Sequence, residues 1–237
     1  MILGPQYNQW LALLSNDQKC LAVLIDPEKT TVEMVPELLR RLPEQTTHFF
    51  VGGSTVPPDA AHDLVLAIKQ WSSKPVWLFP GKHDQVTSAA DALLFLSLLS
   101  GDNPEYLIGQ QTKAAFSVRA CGIEVIPTAY LLIDGGRPST VARVSQTSPL
   151  PITPILPIVE RALAGMFMGA HCVYLEAGSG ASSPVSGDII KAVKNTLDIP
   201  VIVGGGIRTE QQLNQAYAAG ADLIVMGTVF EKTGKAL

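Results

Sequence analysis

Cysteine is scarce: only Cys20, Cys121 and Cys172 occur in 237 residues, and none are spaced as CxxC. That implies no disulfide framework. Reduced thiols at or beside apolar runs are expected, in a chain that works in the cytoplasm. The four histidines, His48, His62, His83 and His171, show no HxxxH spacing, and neither a GxSxG elbow nor a P-loop occurs. His48 and His171 read as strand-entry residues without a catalytic role. Basic residues are not in excess: 17 Lys and Arg face 21 Asp and Glu, a net charge of -4, which argues against nucleic acid as the main partner. The longest apolar run, Ala89–Leu99, is broken by Asp91 and falls well short of the ~18 residues of a membrane span. The first residues lack the basic, apolar and small-residue succession of a secretory leader, so a soluble protein is expected.

What is present is apolar content, 47% against 16% charged, enough for a large core. Short β-rich runs alternate with longer helical patterns, as in a parallel sheet wrapped by helices. Strands are predicted at Cys20–Ile25, His48–Val51, Val76–Phe79, Ala92–Leu96, Glu124–Ile126, Cys172–Glu176, Val201–Val203 and Leu223–Met226. Helical periodicity covers Thr31–Arg41, Asp59–Trp71, Pro104–Val118, Ile155–Met168, Ser186–Leu197 and Thr209–Ala219, with Thr209 and Gln212 spaced as a capping box. Eight strands in this alternation predict an α/β chain folded as one TIM (β/α)8 barrel domain over 1–237, with an extra helix in Met1–Asn16 outside the barrel proper. Phe79 and Asp91 are too close for a crossover helix with its loops, so the third helix should be replaced by a loop or extended segment. Leu131–Pro154 reads as a continuation of strand five running into a loop over the barrel mouth.

Chemistry in such a barrel gathers at the carboxyl ends of the strands. Three glycine-bearing strand ends fall in succession: Tyr174-Leu175-Glu176-Ala177-Gly178-Ser179-Gly180, Val203-Gly204-Gly205-Gly206-Ile207-Arg208 and Val225-Met226-Gly227-Thr228. Bare backbone amides beside helix N-termini are a phosphate-binding device. Glu176 is the one acid at the end of strand six. It is either a proton-transfer group tuned by burial beside Tyr174 or a member of an ion pair. Asp26, just past strand one, either caps the turn into the first helix or holds Mg2+ with Ser54, since that ion takes oxygen ligands and few carboxylates.

The segments Leu24–Lys29, Val51–Ser54, Leu78–Gly81, Ala90–Gly101, Asn103–Gly109, Tyr174–Gly180 and Val203–Arg208 resemble, in order and over nearly the whole chain, the geranylgeranylglyceryl phosphate synthase/PcrB family of barrel prenyltransferases. YLEAGSG and NPEYLIG are the most specific of these, and LIDPEK marks the branch. The family also lacks the third barrel helix.

The resemblance implies attack of the sn-3 hydroxyl of sn-glycerol 1-phosphate on C1 of a polyprenyl diphosphate, geranylgeranyl by the family name, with release of diphosphate. It implies that Asp26 and Ser54 bind Mg2+ and that Glu176 takes the hydroxyl proton. Tyr174, Leu175, Glu176, Ala177, Gly178, Ser179, Gly180, Gly204, Gly205, Gly206, Gly227 and Thr228 would hold the glycerol phosphate. A homo-oligomer, dimer or hexamer, is implied, and a lipid-precursor product brings transient contact with a membrane surface. A groove for the prenyl chain is expected where the third helix is missing, near Trp77, Phe79, Leu93, Phe95, Leu98, Tyr106 and Leu107; each of these also reads as core. Leu24 stands where some members carry a lysine, and Lys82-His83 departs from the family's small residue. The alternative is another phosphate-binding barrel, a sugar-phosphate isomerase or a flavin-dependent oxidoreductase.

Overall fold

The computed structural model describes residues 4–53, 58–227 and 230. Eight parallel strands close into a barrel in chain order: β1 (Cys20–Ile25), β2 (Thr46–Val51), β3 (Val76–Leu78), β4 (Ala92–Leu98), β5 (Glu124–Leu132), β6 (Cys172–Glu176), β7 (Val201–Gly204) and β8 (Leu223–Met226). The helices are α1 (Pro5–Ser15), α2 (Val35–Arg41), α3 (Pro58–Trp71), α4 (Gln110–Cys121), α5 (Thr140–Ser145), α6 (Leu156–Phe167), α7 (Gly187–Thr196) and α8 (Glu210–Ala218). The chain divides into two compact units. One consists chiefly of residues up to Phe95 with Thr112–Ile126, and Gly227 belongs to it; the other is Leu96–Gln111 with Pro127–Met226.

In the first unit the outward residues of β1 to β4, such as Val23, Phe49, Val76 and Leu93, pack with Leu64, Ile68 and Val118 of the helices. The opposite set, by the alternation of a strand, carries aromatic bulk. Phe50 stacks on Trp77 at 5.7 Å, and the His48 ring meets Trp77 edge-on at 4.8 Å. Burial pushes the His48 imidazole down to about 4, so it is neutral, and its Nδ1 meets the Thr47 hydroxyl at 2.7 Å. Helix α1 brings Trp10 against Trp77, ring centroids 5.6 Å apart. The start of α1 is held by Glu124, whose carboxylate accepts the Gln6 amide at 2.7 Å and the Tyr7 amide at 2.9 Å.

No helix occupies 79–91. The segment is instead a folded loop. The buried Gln85 accepts the Gly81 amide at 2.9 Å, and Thr87 meets the His62 ring at 2.6 Å. Asp91 binds Lys69 and the Val76 amide, both at 2.7 Å. These bonds tie the loop to α3 and to the start of β3.

In the second unit β6 runs in register with β7, Glu176 opposite Gly204, and β7 with β8, Gly204 opposite Val225. The expected segment after β5 is corrected here: the strand runs unbroken from Glu124 to Leu132, and 131–154 then contains the short helix α5 rather than loop alone. Ser139 starts that helix by accepting the Ala142 amide at 3.0 Å. The predicted helix at Pro104–Val118 opens with a π-helical turn, Glu105–Gly109, before α4. The predicted capping box at α8 is present, with Thr209 and Gln212 bonding each other's backbone amides.

Candidate active site

Glu176 is the last residue of β6 and is only 7% exposed. Its Oε1 accepts the Gly178 amide at 2.6 Å, and its carboxylate also hydrogen-bonds Tyr174. Among the described residues these partners take the place of the cation that an ion pair would supply. Burial pushes the carboxyl up to about 7 against the pull of both hydrogen bonds. Tyr174 and Tyr130 lie beneath it, rings 5.2 Å apart, and burial together with the Glu176 charge holds both phenols well above their usual range. A base poised near neutrality over two protonated tyrosines is suited to taking a proton from an alcohol.

The glycines around this carboxylate are sterically required. A Cβ on Gly204 would lie 2.3 Å from the Tyr174 hydroxyl, and one on Gly205 2.4 Å from Glu176 Oε1. Gly205 and Gly206 both have positive φ, +79° and +75°. Among the described residues the amides of Ser179, Gly180, Gly205 and Gly206 have no hydrogen-bond partner. Ala177 is tied to Gly204 by its amide at 3.0 Å, which keeps the two loops side by side, and Leu175 is buried in β6. The Arg208 guanidinium donates to the Ala181 carbonyl and joins the same two loops from the far end. An anion with several acceptor oxygens suits such a ring of amides.

The elements that carry β1 present Asp26. Its Oδ1 accepts the Glu28 amide at 3.0 Å, its carbonyl accepts the amides of Lys29 and Thr30, and Lys29 Nζ lies 3.4 Å from Oδ2. Asp26 therefore does cap the turn, as one of its two readings had it, and its side chain is 16% exposed. Among the described residues no cluster of three or more His, Cys, Asp or Glu is placed to hold a metal. Gly227 packs against Leu24, 3.2 Å from its carbonyl to a built Cβ. Ser54 and Thr228 lie outside the described residues.

A groove of about 460 Å³ lies along the outer side of β4, lined by Phe95, Ala115, Val118, Arg119, Ile123 and Val125. Of the other groove residues expected from sequence, Trp77, Leu93 and Leu98 are buried core. Phe79, Tyr106 and Leu107 are half-buried.

Two participants were not singled out from sequence. Tyr130 follows from the period-2 pattern of β5 once that strand is extended past Ile126. Arg208 stands within the glycine motif, but its bond to Ala181 depends on a loop fold that no local pattern encodes.

The chain matches the model of the PcrB family over residues 16–237. It is 54% identical over 215 residues to a geranylgeranylglyceryl phosphate synthase from Zunongwangia profunda, covering 91% of this chain and 92% of that protein. It is 45% identical over 231 residues to the protein of that name from Flavobacterium johnsoniae, covering 97% of this chain and 95% of the other. Among solved structures, the (S)-3-O-geranylgeranylglyceryl phosphate synthase from Thermoplasma acidophilum, in complex with its substrate sn-glycerol-1-phosphate, superimposes with a TM-score of 0.87 at 36% identity, over 98% of this chain and 93% of that one.

Proposed function

Since the chain belongs to the PcrB family, we propose that it is a prenyltransferase joining a polyprenyl diphosphate, geranylgeranyl by analogy with its relatives, to the sn-3 hydroxyl of sn-glycerol 1-phosphate. The observation that carries this reading is the buried Glu176 carboxyl at the end of β6, set beside glycine amides that have no hydrogen-bond partner among the described residues. The phosphate rests on the amides of Ser179, Gly180, Gly205 and Gly206. Tyr174, Leu175, Ala177 and Gly178 fix the geometry of the carboxylate beside it. Glu176 accepts the hydroxyl proton as the oxygen bonds to C1 of the prenyl chain; the C1–oxygen bond to diphosphate breaks, and diphosphate leaves with that electron pair.

The donor set fits Mg2+, which is content with one carboxylate, a hydroxyl, water and phosphate oxygens. Asp26 and Ser54 would hold it. When bound, the ion neutralises the charge of the departing diphosphate. The groove beside Phe95 offers apolar surface to the tail.

The protein works as a single cytoplasmic domain and as a homo-oligomer, dimer or hexamer. Exposed Leu156, Phe167 and Met168 on and beside α6 support the assembly. Its cysteines Cys20, Cys121 and Cys172 are not joined in disulfides, which suits a reducing compartment. No described helix is long and apolar enough to cross a membrane, and contact with a membrane surface is transient.

The test is to mix the purified protein, Mg2+ and sn-glycerol 1-phosphate with labelled C15, C20 and C35 diphosphates. An extractable ether lipid from one of them is expected. Absence of product with all three overturns the reading. Product with sn-glycerol 3-phosphate at an equal rate overturns the stereochemical part.

A further inference from the structure

Helix α5 has six residues, too few to persist alone, so its neighbours must hold it. Two side chains of the 103–106 stretch do so at its last turn. Asn103 Nδ2 donates to the Ser145 carbonyl at 2.7 Å, and the Tyr106 hydroxyl donates to the Val144 carbonyl at 3.2 Å. These carbonyls belong to the end of a helix, where no intrahelical donor remains. Asn103 is itself held, its Oδ1 accepting the Glu105 amide at 3.0 Å.

The other end of the same segment meets the headgroup loop. The Gly135 carbonyl accepts the Ser182 amide at 2.8 Å and the Ser183 amide at 3.3 Å. Ser139, 8% exposed, sits so close to Gly178 that a Cβ there would lie 2.9 Å from the serine Cβ. Gly178 carries the amide bound to Glu176. A continuous path of hydrogen bonds and contacts thus runs from Asn103 and Tyr106, through α5 and Ser139, to the loop that presents Ser179 and Gly180.

We propose that Asn103 and Tyr106 are positioning residues for the glycerol phosphate loop, acting through α5 without touching that substrate. The inference rests on the proposed function, because it takes the 178–183 loop as the headgroup site. Asn103→Ala and Tyr106→Phe should each weaken binding of sn-glycerol 1-phosphate by about 3- to 10-fold, the worth of one lost hydrogen bond. Hydrogen exchange at the 178–183 amides should quicken in both.

The experiment combines calorimetric titration of sn-glycerol 1-phosphate with exchange measurements on the full chain, and KM values for both substrates. The expected result is a raised KM for glycerol phosphate with that for the prenyl diphosphate unchanged in Asn103→Ala. Should Asn103→Ala not fold, Tyr106→Phe, which keeps the ring, carries the test. If wild-type protein binds the phosphate while both folded variants bind it equally well and exchange at wild-type rates, the inference falls and the function stands. If both KM values and the melting temperature move together, the pair is merely structural and the inference falls. If wild-type protein does not bind sn-glycerol 1-phosphate, the functional reading falls and takes the inference with it.

Discussion

A carboxyl group buried at a strand end and titrating near 7 affects both rate and stability. If Glu176 is the base, as proposed, it must be ionised, so kcat/KM should fall about tenfold per pH unit below that value, read from a pH–rate profile. Glu176→Gln should lower kcat by about 10²- to 10⁴-fold while sn-glycerol 1-phosphate still binds. The stability effect has the opposite sense. The folded carboxyl titrates above its ordinary 4.5, so the stability it contributes is complete below 4.5 and lost as pH rises through 7. Above 7 the fold carries a buried charge costing about 3 kcal/mol relative to the protonated form. Glu176→Gln should therefore raise the melting temperature at pH 8 and change it little at pH 4. Equal shifts at both pH values would show that the carboxyl titrates normally. Gly205→Ala should remove glycerol phosphate binding, since the new methyl group would occupy space 2.4 Å from Glu176 Oε1 at φ +79°.

At the scale of elements, the residues that specify local structure were readable and those that join distant segments were not. The apolar runs of β1, β6 and β8 gave their limits directly, and the Thr209–Gln212 spacing gave the start of α8. The apolar run marks β5 at Glu124–Ile126 and its continuation only from Leu131, because Pro127 and Thr128 interrupt it; pairing with β6, in which Thr128 faces Cys172, carries the strand through. Helix α5 escaped detection because six residues hold no full period, and its support comes from Asn103 and Tyr106 some forty positions away. The capping of α1 by Glu124 is likewise invisible to any window. Glu124→Ala should strand two amides at the first turn of α1 and cost about 1–2 kcal/mol, measurable by urea unfolding. In the site, the glycine clusters and Glu176 were legible because they stand at strand ends; the role of Arg208 was not, because it depends on where Ala181 falls.

For the whole molecule, the decisive omission is a helix after β3. The length of 79–91 excluded one, and the loop fold held by Gln85, Thr87 and Asp91 takes its place. The groove beside Phe95 lies between β4, α4 and the start of β5. Filling it with Ala115→Trp should shorten the prenyl chains accepted, seen as a lower C20-to-C15 product ratio at unchanged KM for glycerol phosphate. An unchanged ratio would place the tail elsewhere.

A closed tunnel must return a waxy product by the route its precursor took, drawing every methylene back through the doorway. A trough open along its flank obeys no such restriction. On the proposed function, a product whose tail lay in this trough would leave sideways, past the helix that carries the 85% exposed Phe116, rather than by the route its precursor took.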